Sequence, residues 1–514
     1  MMAIPDPLRS IPALLRRQAE RFPNKVFLFF KEQEVTYRQL DERTERIAEN
    51  LARFQIRPGE KVALFLPNMP EFLFAFFGTL KLGAVAVPIN TQLKGEEAAY
   101  ILRNSESRVL ITTPTLYSVI APKRSGLPTL EQVFLVGERA GKGRVFSSLY
   151  VAGGSPLQID LRPDDPAALI YTSGTTGSPK GVILTHWNYL SNVAQFVRPT
   201  QMTEQDRFLC ILPLFHVNGQ VVTTLGPLFI GGSMVLMERF SPKDFFIYLE
   251  RFRATAFSGV PTIYAILLHA EETKAHDLSS LRFCICGAAP MPVELFEKFE
   301  EKFRAFILEG YGLSEGTCVS SVNPLGGLRK IGSIGLPLPD QEMTVMNDRD
   351  EEAPVGEVGE IVVRGENVMA GYFKNPAATE EALRGGRLHT GDLGYRDEEG
   401  FFFIVGRKKE MILRGGENIY PKEIEERLYR HPDVLEAAVV GLPDPVWGEE
   451  VAAFIIPKPD VSSTAETIIA YCREHLARFK CPKEVIFMDA FPKTATGKIQ
   501  KGKLRETYLQ REEK

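Results

Sequence analysis

Short apolar runs alternate with amphipathic stretches along residues 10–286, and this alternation constrains the fold more than any other feature of the chain. Residues 10–22 carry Ile11, Leu14, Leu15, Ala19 and Phe22 at helical spacing, and residues 26–30 form a short apolar run. Thr36 is placed to cap a helix through Leu40, Ile47, Ala48 and Leu51, and residues 61–66 read as a strand. The pattern returns at residues 207–211, 233–237, 255–259 and 282–286. Apolar strands separated by amphipathic helices predict α/β layers around a largely parallel sheet. The longest apolar stretch, residues 72–89, contains Gly78, Lys81, Gly83 and Pro88, so it reads as a buried helix entering a strand and not as a membrane span.

From Gly332 the texture changes. Gly-, Pro- and Glu-rich turns separate short Val/Ile runs such as residues 360–364 and 401–405, which predicts a β-rich subdomain. Residues 408–514 again alternate strands and helices and are long enough for a small α+β domain of their own. Within them, residues 478–505 are strongly basic, either as a solvated face or as a patch facing a polyphosphate. The whole chain of 514 residues has 61 Lys+Arg against 65 Asp+Glu, a net charge of -4, so bulk charge does not direct it to nucleic acid or to an anionic membrane. Residues 1–24 lack the apolar core and small-residue cleavage site of a secretory signal. The six cysteines show no C-x-x-C and no His at ligand spacing. Reduced structural thiols and a cytoplasmic location are expected.

One segment stands out chemically. Residues 171–181 read Tyr-Thr-Ser-Gly-Thr-Thr-Gly-Ser-Pro-Lys-Gly between two apolar runs. Its glycines permit close backbone approach to a ligand, and its hydroxyls, N–H groups and Lys180 together make a phosphate site. It is not a P-loop, because Pro179 precedes Lys180 and Gly181 follows it. Other segments are weaker alone. Lys498, in Pro-Lys-Thr-Ala-Thr-Gly-Lys-Ile, reads by itself as part of an exposed basic loop. Asp392, in His-Thr-Gly-Asp, is either a turn residue or a ligand contact. Glu315, in Gly-Tyr-Gly-Leu-Ser-Glu, either holds a metal or caps a helix. His216 follows Leu-Pro-Leu-Phe in an apolar context that suits a core residue as well as a site residue.

Their joint order resembles the adenylate-forming superfamily of acyl-CoA synthetases, adenylation domains and firefly luciferase, most of all the bacterial fatty-acyl-CoA ligases. The likeness also rests on Gly-Arg-Lys-Lys-Glu-Met-Ile, Gly-Gly-Glu-Asn-Ile-Tyr-Pro-Lys-Glu-Ile-Glu and Thr-Gly-Lys-Ile, and covers nearly the whole chain. It implies an α/β fold. A large N-terminal domain, residues 1–407, has layered α/β subdomains and a β-rich subdomain, and a small mobile α+β lid, residues 408–514, hinges at Lys409. The implied substrates are ATP, CoA and a carboxylic acid, with a medium- or long-chain fatty acid favoured over aryl and small polar acids, and Mg²⁺ as cofactor. By the same likeness Thr172, Ser173, Gly174, Thr175, Thr176, Gly177 and Lys180 wrap the β- and γ-phosphates. Glu315 and Thr176 bind the metal. Gly287, Ala288, Ala289 and Pro290 on one side, and Glu309, Gly310 and Tyr311 on the other, sandwich the adenine, Gly312 and Ser314 also belong to the cofactor site, and Asp392 and Arg407 hold the ribose. Lys498 bridges the acid and the α-phosphate, and His216 lines the acyl pocket, where Gly219 and Gly287 leave room for the acid. Gly415, Gly416 and Trp447 favour CoA as acceptor. Ser314 stands where many relatives have Thr, and Cys481 where some aryl-CoA ligases carry an Arg used on the CoA nucleotide; Lys480 and Lys483 are the substitutes. Transfer to a carrier protein or amine, a luciferase-like oxygenase and a non-catalytic nucleotide-binding regulator are the alternatives, and a homodimer is left open.

Overall fold

Thr36 takes extended backbone and its hydroxyl accepts the N–H of Gln39, whose side chain reciprocates, so a capping box starts the helix Tyr37–Arg53 where the sequence places it. The helix Pro70–Lys81 is buried at every position but Glu71, as its largely apolar sequence demands. The Lys81 ammonium at its C-terminal end is held 2.7 Å from Asp41 and 3.0 Å from Glu45 on the neighbouring helix. The computed structural model describes residues 8–137, 143–151, 157–172, 179–289, 291–459, 461, 463–493 and 499–512.

Among the described residues the strands form four sheets. In an eight-stranded sheet, Lys61–Phe65, Val85–Pro88, Val109–Thr112 and Gln132–Leu135 run parallel, and Val85–Pro88 also pairs in parallel with Pro166–Thr172. Pro166–Thr172 then turns back antiparallel into Lys180–Thr185. A nine-stranded sheet holds Val26–Phe30, Ser233–Leu236, Arg207–Cys210, Ala256–Gly259, Phe283–Cys286 and Phe306–Tyr311 in parallel register. One apolar core, with Leu28, Val62, Phe72, Phe76 and Phe208 among its members, joins both sheets through the helices between them. The β-rich part is an antiparallel sheet of Glu342–Met346, Gly359–Arg364, Leu388–Arg396 and Phe402–Arg407.

The C-terminal sheet contains Ile412–Arg414, Glu417–Ile419, Val434–Asp444, Gly448–Pro457 and Glu484–Phe487. Its cores, around Ile412, Ile424, Val439 and Ile468 on one face and Val440, Phe454 and Leu504 on the other, draw on no residue of the N-terminal sheets. The fold is therefore a large N-terminal α/β domain and a small C-terminal domain. All six cysteines are buried free thiols. Among the described residues no helix is long and apolar enough to cross a membrane.

Candidate active site

In open α/β sheets the carboxyl ends of the strands are where ligands are taken up. Here those ends gather the segments that the sequence marks. Thr172 ends one strand and Lys180 opens its antiparallel partner, so the hydroxyl-rich loop joins two strands. Gly287–Ala289 leave the strand Phe283–Cys286, Glu309–Tyr311 end the strand Phe306–Tyr311, and Leu212–His216 follow the strand Arg207–Cys210. Residues 173–178, Pro290 and 494–498 lie outside the described residues, and with them Ser173, Gly174, Thr175, Thr176, Gly177 and Lys498.

Glu315 sits in a single turn, Ser314–Gly316. Its carboxylate Oε1 accepts the hydroxyl of Tyr372 at 2.9 Å and that of Thr172 at 3.5 Å. The Lys180 ammonium lies 5.0 Å from the centre of the Tyr372 ring. A carboxylate, a cation and a hydroxyl from segments far apart in sequence thus meet at one place. Behind them the buried Thr317 adopts φ 68°, ψ −49°, a rare backbone for a β-branched residue, and its hydroxyl donates to the carbonyl of Asn367. That contact fixes the turn from which Glu315 projects. Gly312 is required for the same local reason: a Cβ there would stand 1.7 Å from the carbonyl oxygen of Cys318.

Asp392 is not in a free turn. It lies within the strand Leu388–Arg396, opposite Arg407, and is nearly fully buried. Its Oδ1 pairs with the Arg407 guanidinium at 2.9 Å, and its Oδ2 accepts the Tyr311 hydroxyl at 2.7 Å. Burial first, and then the Asp392 carboxylate, push the Tyr311 hydroxyl well above its ordinary value, so it remains a donor. Glu360 holds the turn before Asp392. It accepts the N–H of Gly391 at 3.0 Å and lies 3.2 Å from Arg384 and 3.4 Å from His389. Lys408 donates its N–H to the carbonyl of Gly391, which fastens this turn to the start of the segment that carries Lys409.

On the segments expected at the site, Glu309 Oε2, His216 Nε2 and Asn218 Oδ1 are among the buried polar atoms left without a partner among the described residues. Burial raises the Glu309 carboxyl to about 7 and lowers the His216 imidazole to about 4, so His216 is neutral at pH 7. Gly219 has a different reason for being glycine from the one expected. A Cβ there would approach the carbonyl oxygen of Pro213 to 2.7 Å, so its size serves backbone packing and not space for an acid. At Gly287 an added Cβ would lie 3.2 Å from the carbonyl oxygen of Gly310, a tight fit between the two segments.

In the C-terminal domain Gly415 donates its N–H to the carbonyl of Trp447, and Gly416 follows at φ 90° with open space on its Cβ side. Trp447 is half exposed, with the Arg414 guanidinium over its ring at 5.0 Å. The basic run at residues 478–505 is largely engaged in ion pairs. Lys480 meets Glu423 at 2.7 Å, Lys483 meets Asp444 at 3.1 Å, Lys493 meets Glu436 at 2.7 Å and Lys501 meets Glu425 at 2.8 Å. An incoming phosphate at Lys480 or Lys483 has to displace a carboxylate.

Tyr372 and Glu360 were invisible to the sequence reading. The only signal for Tyr372 is Gly-Tyr ahead of Asn375-Pro376, and Glu360 sits in an ordinary Val/Ile run.

Comparison with known proteins matches the same architecture. The AMP-binding enzyme family model covers residues 15–373, and the AMP-binding enzyme C-terminal domain model covers residues 423–498. A sulfoacetate–CoA ligase of Cupriavidus necator is 38% identical over 97% of this chain and 98% of its own length. A long-chain-fatty-acid–CoA ligase of Bacillus subtilis is 35% identical over 98% of this chain and 95% of its own. The crystal structure of an anthranilate CoA ligase in complex with anthranoyl-AMP superposes with a TM-score of 0.92 at 32% identity, covering 98% of both chains. With matched models over most of both domains and full-length relatives above 30% identity, the chain belongs to the AMP-binding enzyme family.

Proposed function

We propose that this protein is an ATP-dependent acid–CoA ligase that works in two half-reactions. A carboxylate oxygen attacks the α-phosphorus of ATP and pyrophosphate leaves; the CoA sulfur then attacks the acyl carbon and AMP leaves with the carboxyl oxygen. The observation that carries this reading is the meeting of Lys180, Thr172 and Tyr372 of the eight-stranded sheet with Glu315, which follows the strand Phe306–Tyr311 of the nine-stranded sheet. A carboxylate at pH 7 is a poor electrophile, and converting it to the mixed acyl-phosphate anhydride by displacement at phosphorus is chiefly a matter of positioning and charge compensation. Lys180 and the loop of residues 172–177 take the β- and γ-phosphates. The adenine lies between Gly287–Pro290 and Glu309–Tyr311, and the ribose hydroxyls meet Asp392 and Arg407. Lys498 draws the acid and the α-phosphate together.

The donor set fits a magnesium nucleotide. Mg²⁺ is commonly held by one or two carboxylates plus substrate phosphates, and among the described residues no group of three or more His, Cys, Asp or Glu forms a protein cage. Glu315 and Thr176 would hold the ion, which neutralises phosphate oxygens when bound.

The boundary between domains falls after Arg407, where the strand Phe402–Arg407 ends, and Lys409 in the following turn is the hinge. Rotation there exchanges Lys498 for Gly415, Gly416 and Trp447, which line the thiol approach, while the neutral His216 borders the acyl group. The protein acts in the cytoplasm, where ATP and CoA are at hand.

For the acid, the first reading is a medium- or long-chain fatty acid, supported by the Bacillus subtilis relative and by apolar neighbours such as Phe215 and Val217. A second reading, a short acid with a polar tail, is favoured by the unpartnered Asn218 Oδ1 and His216 Nε2. AMP release measured with octanoate, palmitate, ferulate, sulfoacetate and oxalate decides between them. A preference for palmitate or octanoate sustains the first, and a preference for sulfoacetate or oxalate replaces it with the second.

A further inference from the structure

A short segment touches both halves of the cluster around Glu315. Met369 donates its N–H to the carbonyl of Glu315 at 2.8 Å. Gly371 and Tyr372 then pair antiparallel with Ile183 and Val182, and Phe373 donates to the carbonyl of Gly181 at 2.7 Å, one residue from Lys180. The N–H of Tyr372 is itself bound to the Thr379 hydroxyl at 2.9 Å, so the backbone is fixed on both edges. From this backbone the side chain reaches in two directions. Its hydroxyl is 2.9 Å from Glu315 Oε1, and its ring centre is 5.0 Å from the Lys180 ammonium.

We propose that Tyr372 is a positioning residue that holds Glu315 and Lys180 in one fixed relation, so that the metal and the nucleotide phosphates bind as a unit. The proposal rests on the reading of the site as one for Mg-ATP. A hydroxyl donating to a carboxylate is a charge-assisted hydrogen bond, stronger than a neutral one. Tyr372 and Thr172 both engage Oε1, and neither engages the second oxygen. The ring does different work. A cation over an aromatic face is held more weakly than one in a phosphate ion pair, so Lys180 is kept in place yet released to an arriving phosphate.

The two contacts separate experimentally. ATP binding to the full-length protein is measured by calorimetry, with excess Mg²⁺ and again in EDTA, for wild type, Tyr372→Phe and Tyr372→Leu, with melting curves as folding controls. Tyr372→Phe keeps the ring and loses the hydroxyl. It is expected to weaken Mg-ATP binding about tenfold and to leave metal-free ATP binding near wild type. Tyr372→Leu is expected to weaken both. If Tyr372→Phe matches wild type in Mg²⁺, or loses affinity equally with and without the metal, the positioning role is overturned while the Mg-ATP reading stands. If wild type binds ATP no more tightly in Mg²⁺ than in EDTA, the reading of the site fails and the proposal falls with it. Should Tyr372→Leu fail to fold, Tyr372→Phe alone decides.

Discussion

Replacing Glu309 by Gln should make the protein more stable at alkaline pH. The side chain is only 3% exposed, its Oε1 accepts the N–H of Met291 at 3.4 Å, and its Oε2 has no partner among the described residues. Burial raises its pKa from the ordinary 4.5 to about 7, against a smaller opposing pull from Lys422. The sign follows from proton counting. Below 4.5 the carboxyl is protonated in both the folded and the unfolded chain, and pH has no leverage through it. Between 4.5 and about 7 the unfolded chain gives up the proton and the folded chain keeps it, so stability falls as pH rises. Above that window the full penalty is present, and the interval corresponds to ~3 kcal/mol. Glutamine mimics the protonated form and carries no such penalty. For a domain of several hundred residues this is a gap in Tm of roughly 3–4 °C. Melting curves of both proteins from pH 5 to pH 8.5 should nearly coincide at the acid end and diverge steadily, with Glu309→Gln the higher. Parallel curves, or a wild type that gains stability on the alkaline side, would refute the reasoning.

Lys498→Ala should slow acyl-AMP formation by about 10²–10³, the usual worth of one charge aimed at a transition state, while thioester formation from supplied acyl-AMP largely survives; equal loss in both half-reactions argues against a role confined to adenylation. Lys409→Pro fixes φ near −65° and should freeze the lid, with a modest loss in acyl-AMP formation and a severe one in thioester formation; unchanged overall turnover removes Lys409 as the hinge. Gly416 has φ 90° and open space beside its Cβ position, so Gly416→Leu should cost some Tm through backbone strain and selectively impair the thioester step. Loss of both half-reactions in proportion to Tm marks that loop as only a turn.

The features legible in sequence were the local ones. Thr36 announced its helix because a capping box needs only neighbouring residues, and residues 72–89 became the helix Pro70–Lys81 and the strand Val85–Pro88 because Gly83 breaks the run. The features that escaped were made by distant partners. Asp392 reads as a turn residue in Thr-Gly-Asp, yet strand pairing places it opposite Arg407 and buries it. Tyr372 acquires meaning only when its strand is laid against Lys180–Thr185. The basic run at residues 478–505 carries its answering carboxylates on other segments, at Glu423, Glu436 and Asp444, so local charge counting leaves its character open. Gly219 suggests room for substrate in the sequence, and the carbonyl of Pro213, to which no sequence signal points, already requires glycine there.

In the proposed order, adenylation of the acid precedes its transfer to CoA. Purified protein given ATP, Mg²⁺ and an acid, with CoA withheld, should exchange labelled pyrophosphate into ATP, and should exchange none when the acid is omitted. On adding CoA, chromatography of the nucleotides should show AMP and thioester rising together. Acid-independent exchange, or ADP and inorganic phosphate as the products, would contradict the account.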